Sequence, residues 1–183
     1  AARPGGPALV VLSARTEAAL TERAAQLLAW LERNPEVDLY ALAYTLQVGR
    51  DAMDERLAWA VDSLDELRER LGAFTKDGQL GSGVRGQVKR NKDALADLSG
   101  DDDMAVLLQS WQQKGKFTRL LGVWAKGIAV KWDRLYQGPR PRRLHLPAYP
   151  FARERHWVEL GPVTTTGTAP VLGAVQLHPL LHS

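Results

Sequence analysis

The first 75 residues contain short apolar runs and longer segments in which apolar residues recur at every third or fourth position. Ala8–Ala14 is a short run with β-branched residues, and Glu55–Val61 alternates, with Leu, Trp and Val at every second position. Each of these patterns predicts a strand. Between them, apolar positions at helical spacing predict two helices, the first behind the N-cap Thr16 and the second over residues 38–49. A strand, two helices and a further strand indicate a small sheet covered by helices.

The pattern continues with one more helix, a third strand and a pair of helices. Ser63 and Glu66 form an S-x-x-E capping box, and the helix behind it is expected to end near Gly72. Val84–Lys89 predicts an edge strand because it carries charges and a glycine. Apolar spacing over residues 103–126 predicts a helical hairpin. The predicted fold class is α/β, with a small three-stranded, mostly antiparallel sheet packed with α-helices, the hairpin and an extended Pro-rich C-terminal tail.

The last third of the chain differs in character from the first two thirds. Prolines at positions 139, 141, 147 and 150 enforce extended backbone. Beyond them, residues 161–168 consist of Gly, Pro, Thr and Val, which is typical of a linker. We therefore predict five parts, namely a linker over 1–7, a domain over 8–136, an extended tail over 137–160, a flexible linker over 161–176 and the start of another domain at 177–183.

Composition restricts the possible functions. The chain has 183 residues, a formal charge of +3 and no cysteine, which excludes disulfides and thiolate metal sites. No apolar run approaches the roughly 18 residues of a membrane span, so we expect no membrane partner and a cytoplasmic location. Arginines are frequent in the last third, but they form no dense stripe with interleaved aromatic residues. We therefore expect no nucleic-acid partner.

No catalytic or metal-binding constellation emerges from the sequence. His178 and His182 are four residues apart, as in some zinc sites, but Pro179 follows directly and no third ligand lies near. The acidic run Asp101–Asp103 is explained by a helix start, where carboxylates interact favourably with the helix dipole. G-x-S-x-G and phosphate-binding glycine motifs are absent from the sequence. We predict no catalytic residue, no cofactor and no metal.

Several motifs resemble one protein family. The segment YPFARERHW, preceded by GIAVKWDRLYQGPRPRRLHLPA, resembles the YPF-x-R-x-R-[YH]-W segment that follows the acyltransferase position in modular polyketide synthases. The start LVVLSARTEAAL and the stretch DLYALAYTLQVGR are similar to the linker behind a ketosynthase in that family. Only residues 75–130 separate the two regions, and the G-H-S-x-G of an embedded acyltransferase is missing. The pattern resembles the trans-acyltransferase class, in which a docking domain remains at this place.

This resemblance implies a non-catalytic scaffold that positions the ketosynthase and docks a free-standing malonyl acyltransferase. The final LHPLLHS resembles the opening of a dehydratase, so the implied covalent neighbours are a ketosynthase and a dehydratase, and an acyl carrier protein is a further candidate partner. A purely structural spacer without acyltransferase affinity is the alternative. An enzyme of unrecognised type is a third hypothesis, which malonyl-transfer and thioester-hydrolysis assays would test.

Two sets of partner-binding residues are expected. The resemblance implies that the tail crosses the linker domain and reaches the ketosynthase, and the predicted residues of this strap are Tyr149, Pro150, Phe151, Arg153, Arg155 and Trp157. For the acyltransferase we predict a basic surface whose charge has no evident structural purpose, formed by Arg85, Lys89, Arg90 and Lys92. The hairpin over residues 103–126 is the alternative docking surface.

Overall fold

Three antiparallel strands form one sheet in the order β1–β2–β3, and helices cover both of its faces. The computed structural model describes residues 6–91, 102–136 and 138–149. The elements follow in the order β1 (Ala8–Ala14), α1 (Glu17–Arg33), α2 (Leu39–Val48), β2 (Glu55–Val61), α3 (Leu64–Asp77), β3 (Val84–Gln87), α4 (Asp102–Gln113) and α5 (Phe117–Lys126), with a 3₁₀ turn at Trp132–Leu135. The predicted α/β class and the three-stranded sheet are confirmed.

One face of the sheet forms the main apolar core. The register places Val10 opposite Trp59 and Leu12 opposite Leu57, so these side chains share a face. Helices α1 and α3 pack over them, and the ring of Phe74 meets that of Trp59 edge-on, with 6.0 Å between the centroids. Val10, Leu57 and Trp59 are fully buried. Burial of each such side chain contributes about 1.5–3 kcal/mol.

Helix α5 covers the opposite face, and Arg56 joins it to the sheet. Arg56 is buried on β2, donates from Nη1 to the carbonyl oxygen of Trp124 at 2.7 Å and lies 5.0 Å from the centre of that indole ring. The guanidinium thus compensates the negative end of the α5 dipole. Burial lowers the pKa of the Arg56 guanidinium. The hydrogen bond to the Trp124 carbonyl gives this buried charge a partner.

The predicted helix starts are confirmed by their caps. Thr16 Oγ1 accepts from the amide of Ala19 at 3.2 Å, and Ser63 Oγ accepts from the amide of Glu66 at 3.1 Å. Asp38 Oδ1 accepts two amides at the start of α2. Each bond satisfies a donor that the first helical turn leaves without a partner. The short polar residues visible in the sequence therefore determined these boundaries.

Two predicted boundaries were wrong. Helix α3 passes Gly72 and ends at Asp77, where Gly78 adopts a left-handed φ of 68°. The additional turn places Phe74 against Trp59, and this tertiary contact outweighs the low helix propensity of Gly72. Strand β3 ends at Gln87 rather than Lys89, and residues 88–91 are helical.

The two halves of the predicted hairpin are helices, with a left-handed glycine between them. Gly115 has a φ of +66° and separates α4 from α5. Leu108, Leu120 and Trp124 are buried, whereas Val106 remains 67% exposed. Of the predicted tail, the described residues 140–149 lie in neither helix nor strand.

Gly86 on β3 permits the close approach of α5, and this gives the first prediction. A Cβ on Gly86 would lie 2.3 Å from the carbonyl oxygen of Ala125, so Gly86→Ala must displace backbone. We expect Gly86→Ala to lower the free energy of unfolding by about 1–3 kcal/mol. The measurement is urea unfolding of the 183-residue chain followed by circular dichroism.

Gly72→Ala is the matched control, because a Cβ on Gly72 meets nothing within 4 Å. Gly72 lies within α3, where alanine is favoured by about 0.5–1 kcal/mol, so this variant is expected to gain stability. If both variants unfold at the same urea concentration, the close approach of α5 does not constrain the fold.

Candidate functional site

The outer edge of β1 is closed by side chains instead of a further strand. On β1, the backbone groups of every second residue face away from β2. Three such groups have assigned partners and are together called the β1 edge, namely Leu9 O, Ser13 O and Arg15 N. Gln47 Nε2 donates to Leu9 O at 2.7 Å, and Arg23 Nη1 donates to Ser13 O at 3.1 Å. The amide of Arg15 donates to Tyr149 Oη at 3.0 Å. These bonds satisfy groups that would otherwise be open to another strand.

A buried relay reaches the β1 edge from Tyr136. Its hydroxyl donates to Gln47 Oε1 at 2.8 Å, and the same Gln47 side chain donates to Leu9 O. The Tyr136 ring meets Tyr44 edge-on, with centroids 4.9 Å apart. Burial raises the pKa of the Tyr136 phenol, which favours the neutral donor that the relay requires.

The tail, predicted over residues 137–160, lies against α2 in its described part. The amide of Leu144 donates to Thr45 Oγ1 at 2.9 Å. Arg50 Nη2 donates to Leu146 O at 3.3 Å and to Pro147 O at 3.0 Å. Leu144, Leu146 and Tyr149 also pack on the core. The side chains of Thr45 and Arg50 thus bind backbone groups of the tail, whose described part has no regular secondary structure.

Arg23 and Tyr149 join this tail to α1. The Arg23 guanidinium lies 5.6 Å from the centre of the Tyr149 ring, and its residue is only 8% exposed. Burial lowers the pKa of Arg23, and the positive charge of Arg50 lowers it further. A cation–aromatic contact of this kind is worth about 0.5–2 kcal/mol. Arg23 thus contributes both to the β1 edge and to the attachment of the tail.

Of the six expected strap residues, only Tyr149 lies within the described residues. Tyr149 lies against Arg15 and Arg23, as given above. The other five predicted strap residues lie outside the described residues, and these are Pro150, Phe151, Arg153, Arg155 and Trp157. Their binding to a ketosynthase stays a prediction.

The basic residues expected to dock an acyltransferase are partly engaged within the domain. Arg85 forms an ion pair with Glu17 at 2.8 Å, and Lys89 pairs with Asp54 at 3.3 Å. Both charges thus have a partner within the domain, and their role in docking stays a prediction. Arg90 is exposed and makes no ion pair within the described ranges, and Lys92 lies outside them.

Sequence reasoning missed the residues that bind the tail, namely Arg23, Thr45 and Arg50, and also Gln47 of the relay. One signal was present, because Arg23 follows Leu20 by three positions and precedes Leu27 by four, which places a charge on the apolar face of α1. A charge on a buried face requires a partner. The identity of that partner depends on the tail, more than a hundred residues away, and no local pattern contains it.

Neither a metal cluster nor a membrane helix is found in the part of the chain that the structure describes. Within residues 6–91, 102–136 and 138–149, no three His, Asp or Glu side chains are grouped so that they could hold a metal ion. The helices in the same ranges are too short or too polar to cross a bilayer.

The buried Tyr136 gives a prediction about pH. In the unfolded chain the phenol titrates near pH 10, whereas its pKa is higher in the fold, so stability from this group is complete below about pH 10 and decreases above it. Tyr136→Phe removes the relay and is expected to cost about 1–3 kcal/mol at pH 8, because Gln47 Oε1 loses its donor.

Urea midpoints of both proteins between pH 8 and pH 11 provide the measurement. The difference between wild type and Tyr136→Phe should shrink as the pH rises above 10. A difference that stays constant over this range would show that the phenol does not titrate abnormally.

Comparisons with known proteins agree with this arrangement. Residues 11–78 match the family described as RhiE-like, KS-MAT linker domain. The polyketide synthase PksL of Bacillus subtilis is 45% identical over 157 residues, which are 84% of this chain and 4% of that protein. The polyketide synthase ThaG of Burkholderia thailandensis is 40% identical over 181 residues, which are 96% of this chain and 3% of that protein. The chain thus spans only a small part of these relatives.

Solved structures show the same fold. A ketosynthase from module 6 of the bacillaene synthase of Bacillus subtilis 168 matches with a TM-score of 0.76 and 39% identity, over 82% of this chain and 27% of that one. A ketosynthase from module 1 of the bacillaene synthase of Bacillus amyloliquefaciens matches with a TM-score of 0.74 and 44% identity, over 85% and 27%. Residues 11–78 thus match the family model of a RhiE-like, KS-MAT linker domain, and the chain is similar to short segments of polyketide synthases.

Proposed function

We propose that this chain is a non-catalytic scaffold of a polyketide synthase that holds a ketosynthase at a fixed position relative to the following domains. One observation carries the proposal, namely that the chain matches 27% of solved chains described as ketosynthases, at a TM-score of 0.76 and 39% identity. Those chains contain this fold together with a larger portion that the match does not cover. The same continuity is proposed here, with a ketosynthase before residue 1 and a dehydratase from residue 177.

The geometry supports a positioning role because Ala8 and Tyr149 lie near opposite ends of the same strand, β1. The chain enters at Ala8, and Tyr149 lies at Arg15, just beyond the other end of β1. Seven residues of strand span about 23 Å. The path from Tyr136 to Tyr149 is bound at both ends and in the middle, through Gln47, Thr45 and Arg50. Ala8 and Tyr149 are thus held a fixed distance apart by hydrogen bonds that the domain itself provides.

The residues after Tyr149 are proposed to form the strap that reaches the ketosynthase. Tyr149 anchors this segment beside the β1 edge, so the next aromatic residues, Phe151 and Trp157, start from a fixed point. Each of them would contribute about 1.5–3 kcal/mol when buried against a partner, less the cost of ordering the chain. Arg153 and Arg155 lie between them in the sequence and offer charge-assisted bonds to acidic groups or carbonyls.

We further propose that the scaffold is of the trans-acyltransferase type and docks a free-standing malonyl acyltransferase. The nucleophile of the acyl transfer then belongs to that partner, and an acyl carrier protein receives the malonyl unit. Docking raises the local concentration of the enzyme, so weak affinity is sufficient. Lys89, Arg90 and Lys92 are the proposed contacts together with Arg85, and the exposed Val106 and Leu107 of α4 belong to the alternative surface.

A purely structural spacer is the second candidate function. The ion pairs of Arg85 with Glu17 and of Lys89 with Asp54 favour this candidate, because a charge that is paired within the domain is less available to bind an acyltransferase. Surface ion pairs of this kind contribute only about 0–1 kcal/mol, so a partner can compete for them.

Calorimetric titration of a free malonyl acyltransferase into the chain distinguishes the two candidates. We expect a dissociation constant below about 100 µM, which corresponds to about −5.5 kcal/mol. The double variant Lys89→Glu/Arg90→Glu should abolish binding. Lys76→Glu, an exposed substitution on α3 outside both docking surfaces, is the control and should bind like wild type. Absence of heat at this concentration favours the spacer, and equal loss in both variants would indicate unspecific charge attraction.

Limited trypsin digestion tests the strap. In the 183-residue chain, cleavage at Arg153 and Arg155 should precede cleavage within residues 6–149, because the proposed binding partner of the strap is missing. In a chain that includes the ketosynthase, the same two sites should be cut at least tenfold more slowly. Equal cleavage rates in the two chains would contradict contact between the strap and the ketosynthase. The order of cuts is read by mass spectrometry.

A further inference from the structure

Two arginines meet in a small cleft under the tail, and no carboxylate of the described residues pairs with either. The cleft is lined by Leu12, Arg23, Gln26, Arg50, Leu146 and Pro147, with further leucines of α1 and α2, and is called the arginine cleft below. Arg23 is 8% exposed, and Arg50 is half-buried. Among the described residues neither forms an ion pair, and their assigned acceptors are backbone carbonyls. Two buried like charges are costly unless a negative group compensates them.

An orphaned donor marks the same place. The Nε atom of Arg50 is buried and has no hydrogen-bond acceptor within the described ranges. Arg70 is the instructive comparison, since its Nε is also buried without an acceptor, but its guanidinium pairs with the carboxylate of Glu66 at 3.5 Å. Arg50 thus combines an orphaned Nε–H with an uncompensated charge. A guanidinium offers five donors in a planar fork that fits a carboxylate.

We propose that the arginine cleft binds a small anion of carboxylate size, bridging Arg23 of α1 and Arg50 behind α2. The guanidinium groups determine this class, because their planar forks match the two oxygens of a carboxylate. The cleft is small, with a volume of about 20 Å³, which admits roughly one water-sized group such as a carboxylate oxygen.

The bound anion fixes the tail to the domain. Arg50 donates to the carbonyls of Leu146 and Pro147, and Arg23 contacts the ring of Tyr149. Neutralising the repulsion between the two guanidinium groups holds both in the positions that bind the tail. The source of the carboxylate is either a free anion or an acidic side chain of a neighbouring domain, and the experiment below distinguishes them.

Formate is the probe, because it is the smallest carboxylate. In wild type, the urea midpoint should rise with the logarithm of the formate concentration at constant ionic strength, as for any ligand that binds only the folded state. Arg70→Gln should keep this dependence, and Arg50→Gln should lose it. Sodium sulfate at matched ionic strength stabilises all three proteins alike, because it acts by exclusion from the surface.

A spectroscopic readout keeps the test valid if Arg50→Gln folds poorly. In ¹H–¹⁵N spectra of the wild-type chain, formate should shift the Arg50 Nε–H resonance, assigned by through-bond correlation to the Arg50 backbone, and should leave that of Arg70 unmoved. If formate changes neither the midpoint nor this resonance, the proposal is overturned.

The source is identified with a chain that also contains the preceding ketosynthase. If formate shifts the Arg50 resonance in both chains, the ligand is a free anion. If the shift occurs only in the 183-residue chain, a carboxylate of the neighbouring domain occupies the cleft.

Discussion

The open edge of β1 is the constraint on which the rest of the structure depends. A three-stranded sheet in the order β1–β2–β3 leaves β1 without a second partner strand, although both of its faces are buried. Buried backbone groups must be satisfied, and α1, α2 and the tail each contribute to this with one side chain. The positions of these three elements are therefore coupled. A displacement of any one of them uncovers polar backbone at the edge of a sheet, which invites pairing with another chain.

The same constraint explains why charged and polar residues occupy buried positions. Leucine at positions 23 and 47 would leave Ser13 O and Leu9 O without these donors. The cost of an unsatisfied buried carbonyl, about 1–3 kcal/mol, is similar to the gain from burying one apolar side chain. Polar residues are tolerated there because each one reaches a backbone group that has no alternative partner.

Local features of the fold could be predicted from the sequence, and long-range ones could not. Both seven-residue strands and the caps Thr16, Asp38 and Ser63 follow from patterns within a few residues. The end of α3 was placed at Gly72 because the contribution of Phe74 depends on Trp59 in another element. The candidate site shows the same limit more strongly. Tyr149 stood out as an aromatic residue in a Pro-rich segment, but Arg23 is recognisable as its neighbour only when the tail has folded back over the domain.

An attachment through backbone carbonyls suits a scaffold better than ion pairs between side chains. Arg50 binds Leu146 O and Pro147 O, and Leu144 N binds Thr45, so the fixed points of the tail are main-chain atoms. Main-chain atoms lack rotamer freedom. Bonds to them therefore restrict the position of the tail more than an ion pair between two long side chains would. Prolines at positions 139, 141 and 147 restrict the same segment before it binds. The tail therefore loses little entropy on docking, and a few bonds are sufficient to set the spacing between entry and exit.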